Sequence, residues 1–477
     1  MDTKYQPTIG LEIHAELKTR TKMFCDSLND PDETRPNVNV CPVCLGHPGT
    51  LPTINKKAVE SVIKVGLALG ATVNEKTKFD RKNYFYPDLP KGYQISQYDK
   101  PLVEKGELRG IRIRRIHLEE DTGTLSHGGR GQGTRDKEDA SLVDYNRGGV
   151  PLMELVTEPD FRSAEQVADF ARELQLILCY LGVSDADMEK GQMRIEANVS
   201  LDMGKYVELK NINSFRAVSS AIAYELARQK TLLEEGKEMA KETRGWDEAK
   251  QKTVSQRSKE DAHDYRYFPE PDLPPFETKA FDIETLRASL PELPQEKRAR
   301  FAGEYGLDAK QIEILVAESE MANYFENAVS ELKESLPEAA PVLIYNYLAG
   351  DLRGLMNQNN VAFAELKISP EHLAHLAAFM HQKKITSRQG KDVIEKMFAT
   401  GLDPEDIVKD DGIGVVSDTG QIETVVKEVI TENPAAVVDY KKGKTASLQF
   451  LIGKAMGKLK GRAQPEVLKE LFEKNLQ

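Results

Sequence analysis

Two residues near the start of the chain have the types and spacing to do chemistry. Glu12 and His14 lie two apart in Gly10-Leu11-Glu12-Ile13-His14-Ala15-Glu16-Leu17. In an extended strand, a period of two puts them on one face and turns Leu11 and Ile13 to the other. A carboxylate and an imidazole presented together suit a divalent cation. The carboxylate favours Mg2+, and the imidazole widens the choice. The same pattern also describes a solvent-facing polar strand face. Two acidic segments could complete a cation site. His117-Leu118-Glu119-Glu120-Asp121 crowds three carboxylates, which need a cation, protonation or full solvation. Glu154 stands in the apolar run Pro151-Leu152-Met153-Glu154-Leu155, where an unpaired charge is costly.

Other constellations are less complete. Cys41 and Cys44 form a C-x2-C, and Cys25 lies 16 residues before Cys41, so three of the four usual zinc ligands are present. His47, Asp26 or water could supply a fourth, and free thiols are the alternative reading. Cys179, beside Leu178 in a helical stretch, reads as a core residue. Arg194, Glu196 and Asn198 alternate along one strand face, as do Glu208 and Lys210 along another. Such mixed-charge faces could bind a Mg-nucleotide, or be ordinary exposed faces. Neither a G-x-x-x-x-G-K-[ST] loop nor a strand-borne G-x-G-x-x-G occurs, so any ATP would be handled without those two solutions.

The elements that must position these residues can be read from periodicity and end signals. Thr8 to Leu17 alternates as a strand, and Ile111 to Leu118, Val150 to Val156 and Arg194 to Leu201 are further strand candidates. Ser163 and Gln166 have capping-box spacing before a helical pattern that stops at Gly182, and Ser214 would cap another helix. Strands interrupted by isolated helices, without a regular βαβ rhythm, predict an α+β domain with mostly antiparallel pairing. Pro269 to Pro275 reads as a rigid exit from that domain. After Leu293-Pro294 the pattern is helical, with a helix start at Ser369-Pro370-Glu371, a stop at Gly401 and a break near Asp403-Pro404. The glycine cluster from His127 to Gly133 reads as a flexible hairpin loop.

The 477 residues suggest two to four domains, and the net charge of −12 offers no global sign of a nucleic-acid binder. No run of 18 apolar residues and no apolar leader segment occurs, and the four cysteines form no disulfide framework. The chain therefore reads as a cytoplasmic, reduced protein with no membrane partner. Its charge is unevenly placed. Tyr440 to Arg462 holds Lys441, Lys442, Lys444, Lys454, Lys458, Lys460 and Arg462 and no acidic residue, +7 against −19 for the remainder. Apolar residues are interspersed, which suggests a folded basic surface touching phosphates, or a basic helix facing an acidic neighbour.

Several longer runs carry a family resemblance. They are Gly10 to Leu17, Phe79-Asp80-Arg81-Lys82-Asn83-Tyr84-Phe85-Tyr86-Pro87-Asp88, Tyr93-Gln94-Ile95-Ser96-Gln97 and His117 to Asp121. Leu142 to Arg147, Pro151 to Asp160, Glu208 to Ser214 and Asp264 to Asp272 belong with them. Together they resemble the B subunits of the glutamyl/aspartyl-tRNA amidotransferases. The related archaeal E subunit carries a large inserted domain for which this chain has no room.

The resemblance implies a glutamine-synthetase/guanido-kinase-like antiparallel-sheet catalytic domain over residues 1–293. A helical domain over 294–402 and a small helical tRNA-binding tail over 403–477 would follow. It implies ATP-dependent phosphorylation of the side-chain carboxylate of Glu-tRNA(Gln) or Asp-tRNA(Asn), then amidation by ammonia. Glu12, His14, Glu120 and Glu154 match the Mg2+ positions, with Glu120 and His14 catalytic, and Lys82 matches a position near the ammonia route. Arg194, Glu208, Lys210, Asn211 and Asn213 are expected to hold ATP. Zinc-bearing members have C-x-C where this chain has Cys25-Asp26-Ser27, so one zinc ligand is missing. No amidase signature is present, which implies a glutaminase A subunit and a small C subunit as partners. One tension is internal: strand alternation places Glu120 with Ile116 and Leu118, unless a bulge intervenes. A non-catalytic tRNA-binding scaffold and a metal-dependent ligase acting on a free small acid are the competing function classes.

Overall fold

The computed structural model describes residues 5–127, 141–202, 204–258, 265–413, 419–459 and 462–476. The glycine-rich loop expected after His127 lies outside these residues. Two compact units are resolved, residues 1–294 and 295–477.

Nine strands of the first unit form one sheet. In chain order they are β1 (Pro7–Glu16), β2 (Thr72–Val73), β3 (Val103–Leu108), β4 (Ile111–Glu120), β5 (Pro151–Thr157), β6 (Met193–Leu201), β7 (Val207–Lys210), β8 (Glu242–Asp247) and β9 (Lys252–Ser258). Across the sheet they run β9-β8-β7-β6-β1-β5-β4-β3-β2. Only β7 and β8 pair in parallel; the other neighbours are antiparallel. The α+β expectation with mostly antiparallel pairing matches this sheet.

One face of the sheet is apolar because of simple alternation. Leu11 and Ile13 of β1, Ile195 and Ala197 of β6, Leu155 of β5 and Ile116 of β4 are all buried in one cluster. The apolar stripes of α1 (Lys56–Ala68), α2 (Ala164–Tyr180) and α3 (Phe215–Glu234) complete it, through Val62, Phe170 and Val218 among others. Each such valine, leucine, isoleucine or phenylalanine contributes roughly 1.5–3 kcal/mol by leaving water. The helices start where side chains satisfy free amides: Asn55 caps α1, Ser163 caps α2 and Ser214 caps α3. Gln166 turns its own side chain to the Arg162 amide, 2.8 Å away, so the capping-box spacing is used one residue earlier than expected. Cys179 is exposed. One residue past the buried Leu178, a helix has turned about 100°, away from the core.

A three-stranded sheet sits in the same unit, with Asp80–Asn83 between Phe268–Pro269 and Tyr93–Ser96. It corrects the reading of Pro269 to Pro275 as an exit. Arg81 donates two hydrogen bonds to the buried Glu270 carboxylate, at 2.7 and 2.8 Å, and ties this proline-rich stretch into the unit.

In residues 295–477 every described regular element is a helix. Ser369 caps Pro370–His381, and Gly401 ends Ser387–Thr400 with φ of 78°. Thr419–Glu432, Pro434–Lys441, Thr445–Lys458 and Pro465–Leu476 enclose an apolar cluster of their own, centred on Val426, Leu451 and Phe472. No helix among the described residues is long and apolar enough to cross a membrane.

Candidate functional site

The polar face of the large sheet carries the site. Arg194, His14, Glu154 and His117 are Cα partners in succession across β6, β1, β5 and β4. They form one row because each strand places every second residue on this face and the registers align. Glu119 follows His117 by two residues and shares its face. His14 Nε2 lies 3.4 Å from Glu119 Oε1 and 3.4 Å from Glu154 Oε2. His117 Nε2 lies 3.3 Å from the same Glu154 oxygen, while its buried Nδ1 has no hydrogen-bond partner. One ligand atom each from His14, Glu119 and Glu154 falls within a 4.8 Å group.

Glu120 is not part of this group. It is buried on the other side of β4, where its carboxylate accepts hydrogen bonds from Lys91 Nζ and, at 2.9 Å, from the Ile95 amide. The structure thus separates the position matched through the resemblance, Glu120, from the carboxylate that meets His14, Glu119. No bulge interrupts β4 between His117 and Glu120, so alternation holds and selects Glu119. A free reading of the period from His117 would have found it.

A cavity of about 440 Å³ opens over the row. Glu12, Lys82, Arg194, Glu208 and Lys210 line it, as do Asp121, Glu196 and Arg115, the last of which had no assigned role. Lys82 comes from the small sheet, and its ammonium lies 5.2 Å from the Tyr265 ring centre. Arg194 pairs with Asp121, and Lys210 Nζ lies 2.9 Å from Glu196 Oε2. Asn198 Nδ2 donates to Glu12 Oε1 at 3.2 Å. Asn211 and Asn213 are exposed in the turn after β7 and lie outside this lining. A larger hollow of about 700 Å³ lies beside α1, but its charges oppose each other, as in Lys76 and Glu277 at 3.6 Å.

The electrostatics follow from buried charges held close together. Burial disfavours the charge on His14, but the hydrogen-bonded carboxylates of Glu119 and Glu154 outweigh it and push the imidazole up to about 10. Burial also opposes ionisation of Glu119 and Glu154. The Lys82 ammonium holds the Glu119 carboxyl below the ordinary range, and the two histidines hold Glu154 well below it. Burial, with Glu154 and Glu196 nearby, pushes Glu12 up. Opposed shifts among charged groups that line an open cavity make this row the candidate site.

The cysteines also meet. The sulfurs of Cys25, Cys41 and Cys44 fall within a 4.8 Å group, with Cys41 and Cys44 Sγ atoms 3.8 Å apart. Ser27 Oγ stands 3.8 Å from Cys44 Sγ, and so does the Nζ of the fully buried Lys22. A hydrogen bond from Cys25, the Cys41 amide and the Lys22 ammonium hold the Cys44 thiol well below the ordinary range.

Comparison with known proteins places the chain among named relatives. A family model described as "GatB/GatE catalytic domain" matches residues 7–284, and one described as "GatB domain" matches residues 323–476. The chain is 47% identical to the B subunit of the aspartyl/glutamyl-tRNA(Asn/Gln) amidotransferase of Dehalococcoides mccartyi (strain CBDB1), over 100% of this chain and 99% of that protein. It is 45% identical to the corresponding protein of Carboxydothermus hydrogenoformans, over 99% of each. That of Persephonella marina is also 45% identical, over 99% of this chain and 100% of that protein.

This chain belongs to the family of amidotransferase B subunits. The catalytic-domain match covers the whole row on the large sheet and both sides of the cavity. The second match covers the family's helical part, including the basic segment. There Lys441, Lys442, Lys454 and Arg462 are exposed. Lys458 instead meets Glu428 and Glu432 at 3.0 and 2.6 Å, and Lys444 meets Asp439 at 3.1 Å. Lys460 lies outside the described residues.

Proposed function

We propose that this chain activates and amidates the side-chain carboxylate of Glu-tRNA(Gln), Asp-tRNA(Asn) or both. ATP gives its γ-phosphoryl group to that carboxylate, forming an acyl phosphate and ADP. Ammonia then attacks the acyl carbon, and inorganic phosphate leaves with the C–O bonding pair. The acyl phosphate matters because an unactivated carboxylate would have to expel oxide. The row of His14, Glu154 and His117, with Glu119 beside it in an open cavity, carries this reading; the names of the relatives support it.

The donor set fits Mg2+: two buried carboxylates and an imidazole converge on one point. His14, Glu119 and Glu154 would hold it, with Glu12 at the rim of the same cavity. Bound there, the ion supplies charge neutralisation on the nucleotide and the attacking carboxylate. The chain's own residues do the rest. Lys82 brings a cation to the side opposite the sheet, suited to a negative acyl phosphate. Arg194 on β6 and Lys210 on the neighbouring β7 place two cations at the same end of the row for the nucleotide phosphates. Three thiols with a serine at the fourth corner fit a zinc ion less well, since Lys22 already sets a positive charge against Cys44.

The one-sided antiparallel sheet supports a glutamine-synthetase/guanido-kinase-like catalytic domain over 1–293. Residues 294–402 act as a helical domain, and 403–477 act as the tail that holds tRNA through Lys441, Lys442, Lys454 and Arg462. Ammonia comes from a glutaminase A subunit, with a small C subunit in the same complex, in the cytoplasm. The test is transamidation by the reconstituted complex with each misacylated tRNA, using glutamine or ammonium as donor. Wild-type complex that amidates neither tRNA would overturn the reading. Unchanged turnover by His14→Ala would overturn the metal placement.

A further inference from the structure

One wall of the cavity has no part in the chemistry above. Tyr98, Tyr267, Tyr265 and Tyr84 all line it and touch in sequence. Tyr98 and Tyr267 are stacked, with ring centres 4.4 Å apart and planes at 13°. Tyr267 meets Tyr265 edge to face at 6.1 Å, and Tyr265 meets Tyr84 edge to face at 5.9 Å. Apart from Leu152, the remainder of the lining is polar or charged. Tyr98 stays 54% exposed although its ring is already stacked. A tyrosine cluster that served only as core would close over its outer ring; this one leaves a flat face toward solvent at the cavity.

We infer that the Tyr98–Tyr267 stack is a platform for a nucleobase. The inference rests on the proposed function, because that reaction brings two bases close to the reacting atoms. The adenine of ATP is joined to the transferred phosphoryl group through its ribose and phosphates. The terminal adenine of the tRNA is joined to the reacting carboxylate through its ribose and the esterified amino acid. Neither a Mg2+ ion nor an acyl phosphate has use for a flat aromatic face, whereas a base does. Stacking on tyrosine needs no base-edge hydrogen bonds and adds affinity by desolvating both π-faces. Lys82, over the Tyr265 ring, puts a cation at the inner end of the same wall, where the phosphate or ester portion of either ligand would arrive.

The experiment uses the reconstituted complex and two fluorescent probes, since 2-aminopurine is quenched when it stacks. One probe is 2-aminopurine riboside triphosphate with Mg2+; the other is tRNA carrying 2-aminopurine at its 3′ end. We expect quenching in at least one arm, and the arm that responds identifies which base is held. Tyr98→Ala and Tyr267→Ala should each weaken binding in that arm by roughly tenfold or more, and Tyr98→Phe should retain both quench and affinity. Because Tyr98 is half exposed, its replacement leaves the apolar cores untouched. No quench in either arm, or quench and affinity that survive both alanine substitutions, overturns the platform. Quenching by a wild-type complex that amidates neither tRNA would instead overturn the proposed function and leave the platform standing.

Discussion

His117 and Glu154 face each other across β4 and β5, with His117 Nε2 3.3 Å from the Glu154 oxygen that His14 also approaches. Glu154 is thereby fixed from two sides, by one histidine that belongs to the converging donor group and one that stands behind it. Outer partners of this kind orient a metal ligand and set its basicity.

His117→Ala should therefore raise the Mg2+ concentration needed for half-maximal amidation by roughly ten- to a hundredfold. Turnover at saturating Mg2+ should fall much less. A Mg2+ titration of ammonium-driven amidation checks this; an unchanged Mg2+ requirement would place His117 outside the site.

Glu119 and Glu120 should part company on substitution. Glu119→Gln removes a charge from the donor group, and kcat should drop by roughly a hundredfold or more with the fold intact. Glu120→Gln leaves the Lys91 ammonium buried without its counter-charge, and stability should fall by about 3 kcal/mol. Chemical denaturation and steady-state kinetics on both variants separate the two outcomes.

The pH dependence of Mg2+ binding follows from His14. Without the ion its imidazole holds a proton up to about 10, since Glu119 and Glu154 outweigh the effect of burial. A metal ligand must be the neutral imidazole, so binding near pH 8 has to release that proton. Affinity should then rise with pH, by roughly tenfold per unit, until pH approaches 10. Calorimetry in buffers of different ionisation enthalpy should find about one proton released per ion. His14→Asn should bind Mg2+ more weakly and with no such release.

The basic tail divides by partner. Lys454→Gln and Arg462→Gln should weaken tRNA binding and reduce the slope of log affinity against log salt by about 0.7–0.9 each. Lys458→Gln should change the slope little, because Glu428 and Glu432 already neutralise that charge. Filter binding over a salt series measures all three.

Much of this site is legible in the order of residues. Glu12 and His14 stand out by period-two spacing, and Glu154 by being acidic in an apolar strand. The α+β class and the caps at Ser163, Ser214 and Ser369 follow from local patterns. What local patterns could not supply was partner identity. The choice between Glu119 and Glu120 depended on β4 running unbroken past Leu118. The proline-rich stretch looked like an exit because its binding partner, Arg81, lies 189 residues before Glu270. Lys458 counted as a free charge, yet two glutamates from an earlier helix stand beside it.

The division has a physical cause. Which residues share a strand face, and where helices begin, depend on backbone periods and on amides a few positions away, so the linear chain settles both. The uneven charge, −19 against +7, is written there too. That Arg194, His14, Glu154 and His117 form one row belongs to the folded molecule instead, because register between strands up to 180 positions apart along the chain is set by packing the opposite, apolar face. Folding likewise selects which charges remain available to a substrate, since an ion pair between distant segments leaves no mark on either one.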